Sequence, residues 1–310
     1  MQIGLLLRSM PHGASPTGPT VSWEELKDLA RAAEDAGVDT LFVPDHLIFR
    51  HSDTVDLPPG ASRGIWEAWT VLSALSQITR RVTLGPFVAC TSFRNPALLA
   101  KMADALDAVS DGRLILGLGA GWHEPEYTAF GYPFDRRVSR FEEALQIIVP
   151  LLRAGRVDFA GQYYQARECE LLPRGPRQSG PPIWIGARMP RMMALAARYA
   201  DAYNTDVLLD PTDYSGLAER FGVLDDACRA AGRDPASMLR TSGCFLALDG
   251  AQAGSAGLPP GHIGGSLEEI TAWLIAVKAL GVQHATFWLT PWTRRGIEQL
   301  APIVAAAHAL

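Results

Sequence analysis

The chain has 310 residues, 48% of them hydrophobic and 20% charged, with a formal net charge of −5 and basic residues scattered among acidic ones. That is enough apolar material for one large core; it argues against a nucleic-acid surface, and no apolar run approaches the length that spans a bilayer. Cys90, Cys169, Cys228 and Cys244 are widely spaced with no C-x-x-C pair, so free thiols are expected rather than a zinc site or a disulfide framework.

Gln2 to Leu7 reads as a short apolar strand, and Arg8 to Thr20, rich in Pro, Gly and Ser, as a loop. The start has neither the basic residues nor the long apolar core and small-residue cleavage site of a secretory leader, so a cytoplasmic location is expected. Ser22 with Glu25 forms a capping box for a helix whose apolar face holds Leu26, Leu29, Ala30 and Ala33. Thr40 to Val43 is the second strand, and Pro44-Asp45-His46 is its immediate exit. Residues 48–64 have no periodic pattern, and a loop of that length is usually functional, so substrate contact is expected there. Trp66 to Thr79 is a helix and Val82 to Ala89 the third strand. Gly85-Pro86 inside it signals a distortion, because proline gives no ladder hydrogen bond and glycine often marks a bulge.

Asn95 to Val109 is a helix with Leu98, Leu99, Met102, Leu106 and Val109 inward. Arg113 to Leu118 follows as an apolar strand without alternation, the mark of a parallel strand buried on both faces. Arg140 to Leu152 is an amphipathic helix on which Glu142-Glu143 reads as a solvated face, and residues 153–182 form at most a minor hairpin or lid. The remaining strands are Pro182 to Ile185, Ala200 to Asn204, Leu239 to Leu248 and Ala285 to Leu289, with a helix after the Ser266-Glu269 capping box.

Eight strands alternating with helices imply a parallel sheet with right-handed crossovers. The pattern fits a closed barrel or an open doubly wound sheet; eight units with no composition break favour closure, as one α/β domain over residues 1–310, a TIM (β/α)8 barrel with an irregular insertion around 153–182. In such a barrel, functional groups come from the strands' C-terminal exits. Those are Arg8 to Met10, Asp45-His46, Val88 to Thr91, Gly119 to Glu126, Gly186 to Arg188, Asn204 to Asp206, the loop after Leu248, and Thr290 to Trp292.

Gly117-x-Gly119-x-Gly121 is no dinucleotide fingerprint: the third glycine comes too early, no helix opens on the glycines, and three strands precede it. It reads as a tight exit beneath a ligand. Asp45-His46 has two readings, a helix cap with a satisfied histidine, or a proton-exchanging imidazole whose tautomer or turn Asp45 holds. Gly186-Ala187-Arg188 ahead of a helix offers amides and a cation to a phosphate, or is a packed turn with an exposed arginine. Trp122 and Trp288 sit on or beside exits, His123 and Glu126 follow on the same rim, and no metal-spaced cluster or Ser-His-Asp signature stands out.

The blocks at residues 29–47, 81–127, 140–152, 181–187 and 196–205, in that order and spacing, resemble the luciferase-like monooxygenase superfamily. The resemblance implies a (β/α)8 barrel that uses coenzyme F-420, an 8-hydroxy-5-deazaflavin, or FMN. It implies a non-prolyl cis peptide at Phe87-Val88, in a bulge with Ala89 that backs the cofactor ring, and a glycine-rich floor at Gly119, Ala120 and Gly121. It further implies Asp45 and His46 at the reactive face and the cofactor phosphate at Gly186, Ala187 and Arg188, where Pro190 departs from relatives by contributing no amide. The Pro-Asp-His exit and the block through Tyr127 resemble the deazaflavin subgroup more. The implied activity is hydride transfer between reduced F-420 and an organic substrate, with His46 as proton donor or acceptor and Trp122, His123, Glu126 and Trp288 at the substrate rim. The alternatives are a two-component monooxygenase using reduced FMN and oxygen, and a non-catalytic flavin-binding barrel. Relatives commonly dimerise, so a homodimer is expected.

Overall fold

A computed structural model describes residues 1–8, 21–205, 210–248 and 262–310. The exit residues Ser9, Met10 and Asp206 and most of the loop after Leu248 lie outside the described residues. In chain order the elements are β1 (Gln2–Leu6), α1 (Trp23–Asp35), β2 (Thr40–Val43), β3 (Phe49–Arg50), β4 (Ser62–Arg63), α2 (Ala68–Ile78), β5 (Thr83–Pro86), β6 (Ala89–Cys90), α3 (Pro96–Val109), β7 (Leu116–Gly119), α4 (Glu124–Phe130) and α5 (Arg137–Ala154). There follow β8 (Arg156–Ala160), β9 (Gln165–Glu170), β10 (Ile183–Gly186), α6 (Pro190–Tyr199), β11 (Ala202–Asn204), α7 (Tyr214–Ala230), β12 (Leu239–Ala247), β13 (His262–Gly264), α8 (Leu267–Ala279), β14 (His284–Thr290), α9 (Arg294–Glu298) and α10 (Ala301–Ala309).

The main sheet runs β5-β2-β1-β14-β12-β11-β10-β7-β6, with every pair parallel. β5 and β6 are two halves of the third barrel strand. The first half pairs β2, with Phe42 opposite Gly85, and the second pairs β7, with Ala89 opposite Leu118. Leu84 bridges Leu114, its N–H donating to Arg113 O at 2.9 Å and its carbonyl accepting Ile115 N–H at 2.8 Å, so the ring closes where the third strand is bent. All eight strands read from sequence are staves of this barrel, and the Gly85-Pro86 distortion is the step between the two halves. The Phe87–Val88 peptide in that step is cis.

The glycines of β7 have a cause within the fold. A Cβ on Gly117 would lie 2.3 Å from Pro86 O, and one on Gly119 2.6 Å from Val88 Cγ2. They are small because the bent third strand presses against them, which gives the tight exit a cause within the fold.

Two apolar layers separate along each strand by side-chain alternation. Leu41, Val43, Ala285, Phe287 and Leu289 face the helices in the large outer core. Leu6, Phe42, Ile115, Trp184 and Ala202 fill the barrel itself, with Phe87 and Trp288 above them. Helix α1 starts at Ser22, whose Oγ accepts Glu25 N–H at 3.2 Å, and α8 carries the full Ser266-Glu269 box.

On α3 the expected apolar face is wrong at two positions: Leu98 and Val109 are 53% and 54% exposed, while Asp104 and Asp107 are buried. Both aspartates hold residues 171–182: Asp104 accepts Gly175 N–H at 2.8 Å, and Asp107 pairs with Arg177. Residues 153–182 supply the antiparallel hairpin β8–β9. Glu143, expected to be solvated, accepts three amides of its turn, from Gln162, Tyr163 and Tyr164, at 2.8, 2.8 and 3.1 Å. Glu142 pairs with Arg191 at 2.9 Å. The four cysteines are free. Among the described residues, no helix is long and apolar enough to cross a membrane.

Candidate active site

The strand exits converge on a cavity of about 760 Å³. Phe87 and Val88 of the bulge, Gly119 to Gly121, and Gly186 to Arg188 all line it, as do Asp45, His46, Trp122, Glu126 and Trp288. Of the residues singled out from sequence, Ala89 and His123 are not part of the lining. Ala89 is fully buried in the outer core, because alternation turns it toward the helices.

His123 is 1% exposed, and its Nε2 accepts the Arg50 N–H at 3.1 Å, so the imidazole anchors β3. Burial lowers its pKa, which keeps the ring neutral at physiological pH. The rim assignment of His123 is therefore corrected to a structural one. The segment that it anchors belongs to the 48–64 loop, which folds into the short hairpin β3–β4 and brings Phe49 into the lining.

Asp45 and His46 leave β2 together but serve different partners. Asp45 is 2% exposed; its carboxylate accepts Arg94 Nη1 at 2.7 Å, Arg94 Nη2 at 3.0 Å and Cys90 N–H at 3.0 Å. Arg94 also donates to Glu67 at 2.8 Å, and Glu67 caps α2 through the amides of Trp69 and Thr70. Burial pushes the Asp45 carboxyl up, and Arg94 opposes that shift. With both oxygens engaged, Asp45 holds the turn and makes no hydrogen bond to His46. The reading in which Asp45 sets the imidazole's tautomer is thereby corrected.

The carboxylate against His46 is Glu126. Its Oε1 lies 2.9 Å from His46 Nδ1, and its Oε2 accepts the Leu47 N–H at 2.9 Å. Glu126 is 1% exposed, a wall residue rather than a rim residue. The His46 ring lies between Phe49, at 4.4 Å, and Trp122, at 5.3 Å and edge-on. Trp122 is 47% exposed at the lip, and Trp288 stands edge-on to Phe87 at 5.1 Å.

The exit after β7 is fastened by Tyr127. Its hydroxyl donates to Ala120 O at 2.9 Å and lies 2.9 Å from Cys90 Sγ. Burial pushes the Cys90 thiol up to about 12, so it is no nucleophile. At the exit of β10, Ala187 O accepts the Tyr203 hydroxyl at 2.9 Å, and Pro190 opens α6 without an amide to offer.

Sequence reasoning missed three features of the lining and its support. Arg137 at the start of α5 lines the cavity and stacks on Phe134 at 3.8 Å. Thr205, just past β11, lines it too, fully buried, with Oγ1 lacking a hydrogen-bond partner among the described residues. It falls among the exits, which was its only signal. The support of Asp45 by Arg94 has none, being a contact between residues far apart in sequence.

The profile of the luciferase-like monooxygenase family matches residues 1–253. A phthiodiolone/phenolphthiodiolone dimycocerosates ketoreductase of Mycobacterium sp. (strain JLS) is 35% identical over 223 residues, 67% of this chain and 57% of that protein. An F-420-dependent glucose-6-phosphate dehydrogenase of Microbacterium testaceum (strain StLB037) is 34% identical over 212 residues, 67% of this chain and 60% of that protein. The match thus spans less than two thirds of either relative's length. Among solved structures, an F-420-dependent secondary alcohol dehydrogenase in complex with an F-420-acetone adduct superimposes with a TM-score of 0.79, covering 99% of this chain and 98% of the other at 20% identity, a likeness of fold. With the barrel, its bent third strand and the profile match in agreement, the chain belongs to the luciferase-like monooxygenase family.

Proposed function

We propose that this chain is a coenzyme F-420-dependent oxidoreductase that interconverts an alcohol and a carbonyl compound, with His46 moving the proton. The observation that carries the reading is His46 itself: an imidazole in the cavity lining, with one nitrogen fixed by a buried carboxylate, at the exit of β2. The names of the two relatives, a ketoreductase and an F-420-dependent dehydrogenase, support the same reaction class and cofactor.

The residues present suit a deazaflavin. Thr205 Oγ1 is a buried polar atom without a hydrogen-bond partner among the described residues, and Arg8, Arg137 and Arg188 line the cavity around a floor of small residues. Phe87 and Val88 would support the ring, Gly119 to Gly121 would give it room, and Gly186 to Arg188 would take the phosphate. When bound, the oxidised cofactor would supply the two-electron chemistry by accepting the hydride of the carbinol C–H bond, while the O–H proton leaves separately. His46 Nε2 takes that proton as the C–O bond becomes C=O, and returns it in the reverse direction. Trp122, Phe49 and Trp288 would hold the substrate's apolar part and exclude water.

The working form is a cytoplasmic homodimer on this reading. Leu98 and Leu172 are both exposed, and Lys101, on the same helix as Leu98, donates to the Leu172 carbonyl. Sedimentation would check the dimer.

Titrating the protein separately with F-420 and FMN while following tryptophan fluorescence tests the cofactor. Micromolar binding of F-420, with turnover of a secondary alcohol or ketone, is expected. Binding of FMN alone, with oxygen uptake, would replace this reading by that of a two-component monooxygenase.

A further inference from the structure

Two carboxylates flank the imidazole's turn, and only one touches the ring. Glu126 presents Oε1 to His46 Nδ1 and Oε2 to the Leu47 N–H, both at 2.9 Å. A carboxylate accepts and does not donate, so Nδ1 carries the proton of the neutral ring. Nε2 then bears the lone pair, and it makes no hydrogen bond among the described residues on a ring that lines the cavity.

The carboxylate is itself held. Glu126 lies in the first turn of α4, and the next residue, Tyr127, is fully buried and bonded to Ala120 and Cys90. Gly121 passes so close that a Cβ there would lie 1.9 Å from the Tyr127 hydroxyl oxygen, at a φ of +75° that suits glycine. One carboxylate therefore clamps the side chain of His46 and the backbone of the residue after it.

We infer that Glu126 is the positioning residue for His46, fixing the Nδ1–H tautomer so that Nε2 is the nitrogen that exchanges a proton with substrate. The consequence for turnover rests on the proton-transfer reading of His46; the tautomer does not.

Gln at position 126 separates this role from packing. Its one carbonyl oxygen cannot serve both donors. If it stays on the Leu47 amide, the NH2 group faces Nδ1 and the ring's proton moves to Nε2. The alternative sets two donors against each other and strands a buried amide, which costs more than a change of tautomer.

The test is nitrogen-15 NMR of the full-length, histidine-labelled protein without cofactor, with the His46→Gln spectrum identifying the His46 signals. Neutral His46 is expected to show a protonated Nδ1 in the wild type and in Glu126→Asp, and a protonated Nε2 in Glu126→Gln. A wild-type ring protonated on Nε2, or a Glu126→Gln ring still protonated on Nδ1, would overturn the inference. In turnover, Glu126→Gln is expected to lower kcat by roughly 10²–10⁴-fold, the range of a lost general base, with Glu126→Asp recovering most of it. If the tautomers come out as expected and His46→Gln turns over at the wild-type rate, the tautomer assignment stands and the proton-transfer reading of His46 falls.

Discussion

The barrel holds two polar regions, and they differ in how completely their groups are paired. Toward the strands' N-terminal ends, His284 Nε2 meets Thr40 Oγ1 at 3.1 Å and its Nδ1 meets Thr286 Oγ1 at 3.4 Å. Thr40 and Thr83 share a 2.7 Å bond, and the Thr83 hydroxyl also donates to Asp39 O at 3.0 Å. At the C-terminal ends, the carboxylates of the wall, Asp45 and Glu126, are paired, but Thr205 Oγ1 and His46 Nε2, on residues that line the cavity, have no partner among the described residues. Buried polar groups are costly unless hydrogen-bonded, so the closed network belongs to folding. Unpaired atoms around a cavity belong to a ligand.

The largest expected effect tests whether Asp45 is wall or face. Asp45→Asn removes the charge that neutralises buried Arg94 and leaves only Glu67 beside it. Breaking a buried ion pair costs about 3–5 kcal/mol, so urea unfolding should shift to a markedly lower midpoint. A variant of normal stability that had lost turnover would move Asp45 into the catalytic face.

The closed network is probed by pH. Burial lowers the His284 pKa to about 4, whereas an unfolded histidine titrates near ~6.5. Above ~6.5 the ring is neutral in both states and the difference has no effect. As pH falls from there toward 4, the unfolded chain takes up a proton that the folded one refuses, and stability drops by roughly 3 kcal/mol in all. His284→Gln should remove that part of the slope: less stable than wild type at neutral pH, with the gap closing near pH 4.5. A gap that stayed constant would mean that His284 is not the buried titrating group.

How far this contrast was legible in the sequence depends on the range of the contacts. The eight staves were, because buried parallel strands are continuous apolar runs with short exits. Gly85-Pro86 gave away the bend in the third strand because glycine and proline report backbone geometry directly. The pairing of polar groups was not. Asp45 stands beside His46 in the chain, yet its partner is Arg94, while the ring's partner is Glu126. Adjacent residues leaving a strand point to opposite sides, so adjacency argued for the wrong carboxylate. His123 failed for the same reason, since it reaches the backbone of Arg50 and not the cavity. The face of α3 failed at Asp104 and Asp107, where the insertion after α5 covers the helix and needs carboxylates to hold its loop.

The smallest expected effect separates the two kinds of pairing most directly, because one chemical change should carry opposite signs in two places. Thr241 Oγ1 donates to Asn204 Oδ1 at 2.7 Å, and both residues are buried. Thr241→Val leaves that oxygen unsatisfied and should destabilise the protein by about 1–3 kcal/mol, with little effect on cofactor binding. Thr205→Val replaces a buried hydroxyl that has no partner among the described residues by an isosteric methyl, so it should leave stability unchanged or raise it by about 1 kcal/mol. The same substitution removes the hydrogen bond that Thr205 would give a bound cofactor, a loss of about 0.5–1.5 kcal/mol, read as a several-fold weaker F-420 titration. Measured together, thermal midpoints and F-420 affinities should cross, with Thr241→Val losing stability and Thr205→Val losing affinity. Two variants that lost stability alike, with affinity intact, would show that Thr205 is paired in the folded protein and that the cavity has no unmet hydrogen bond there.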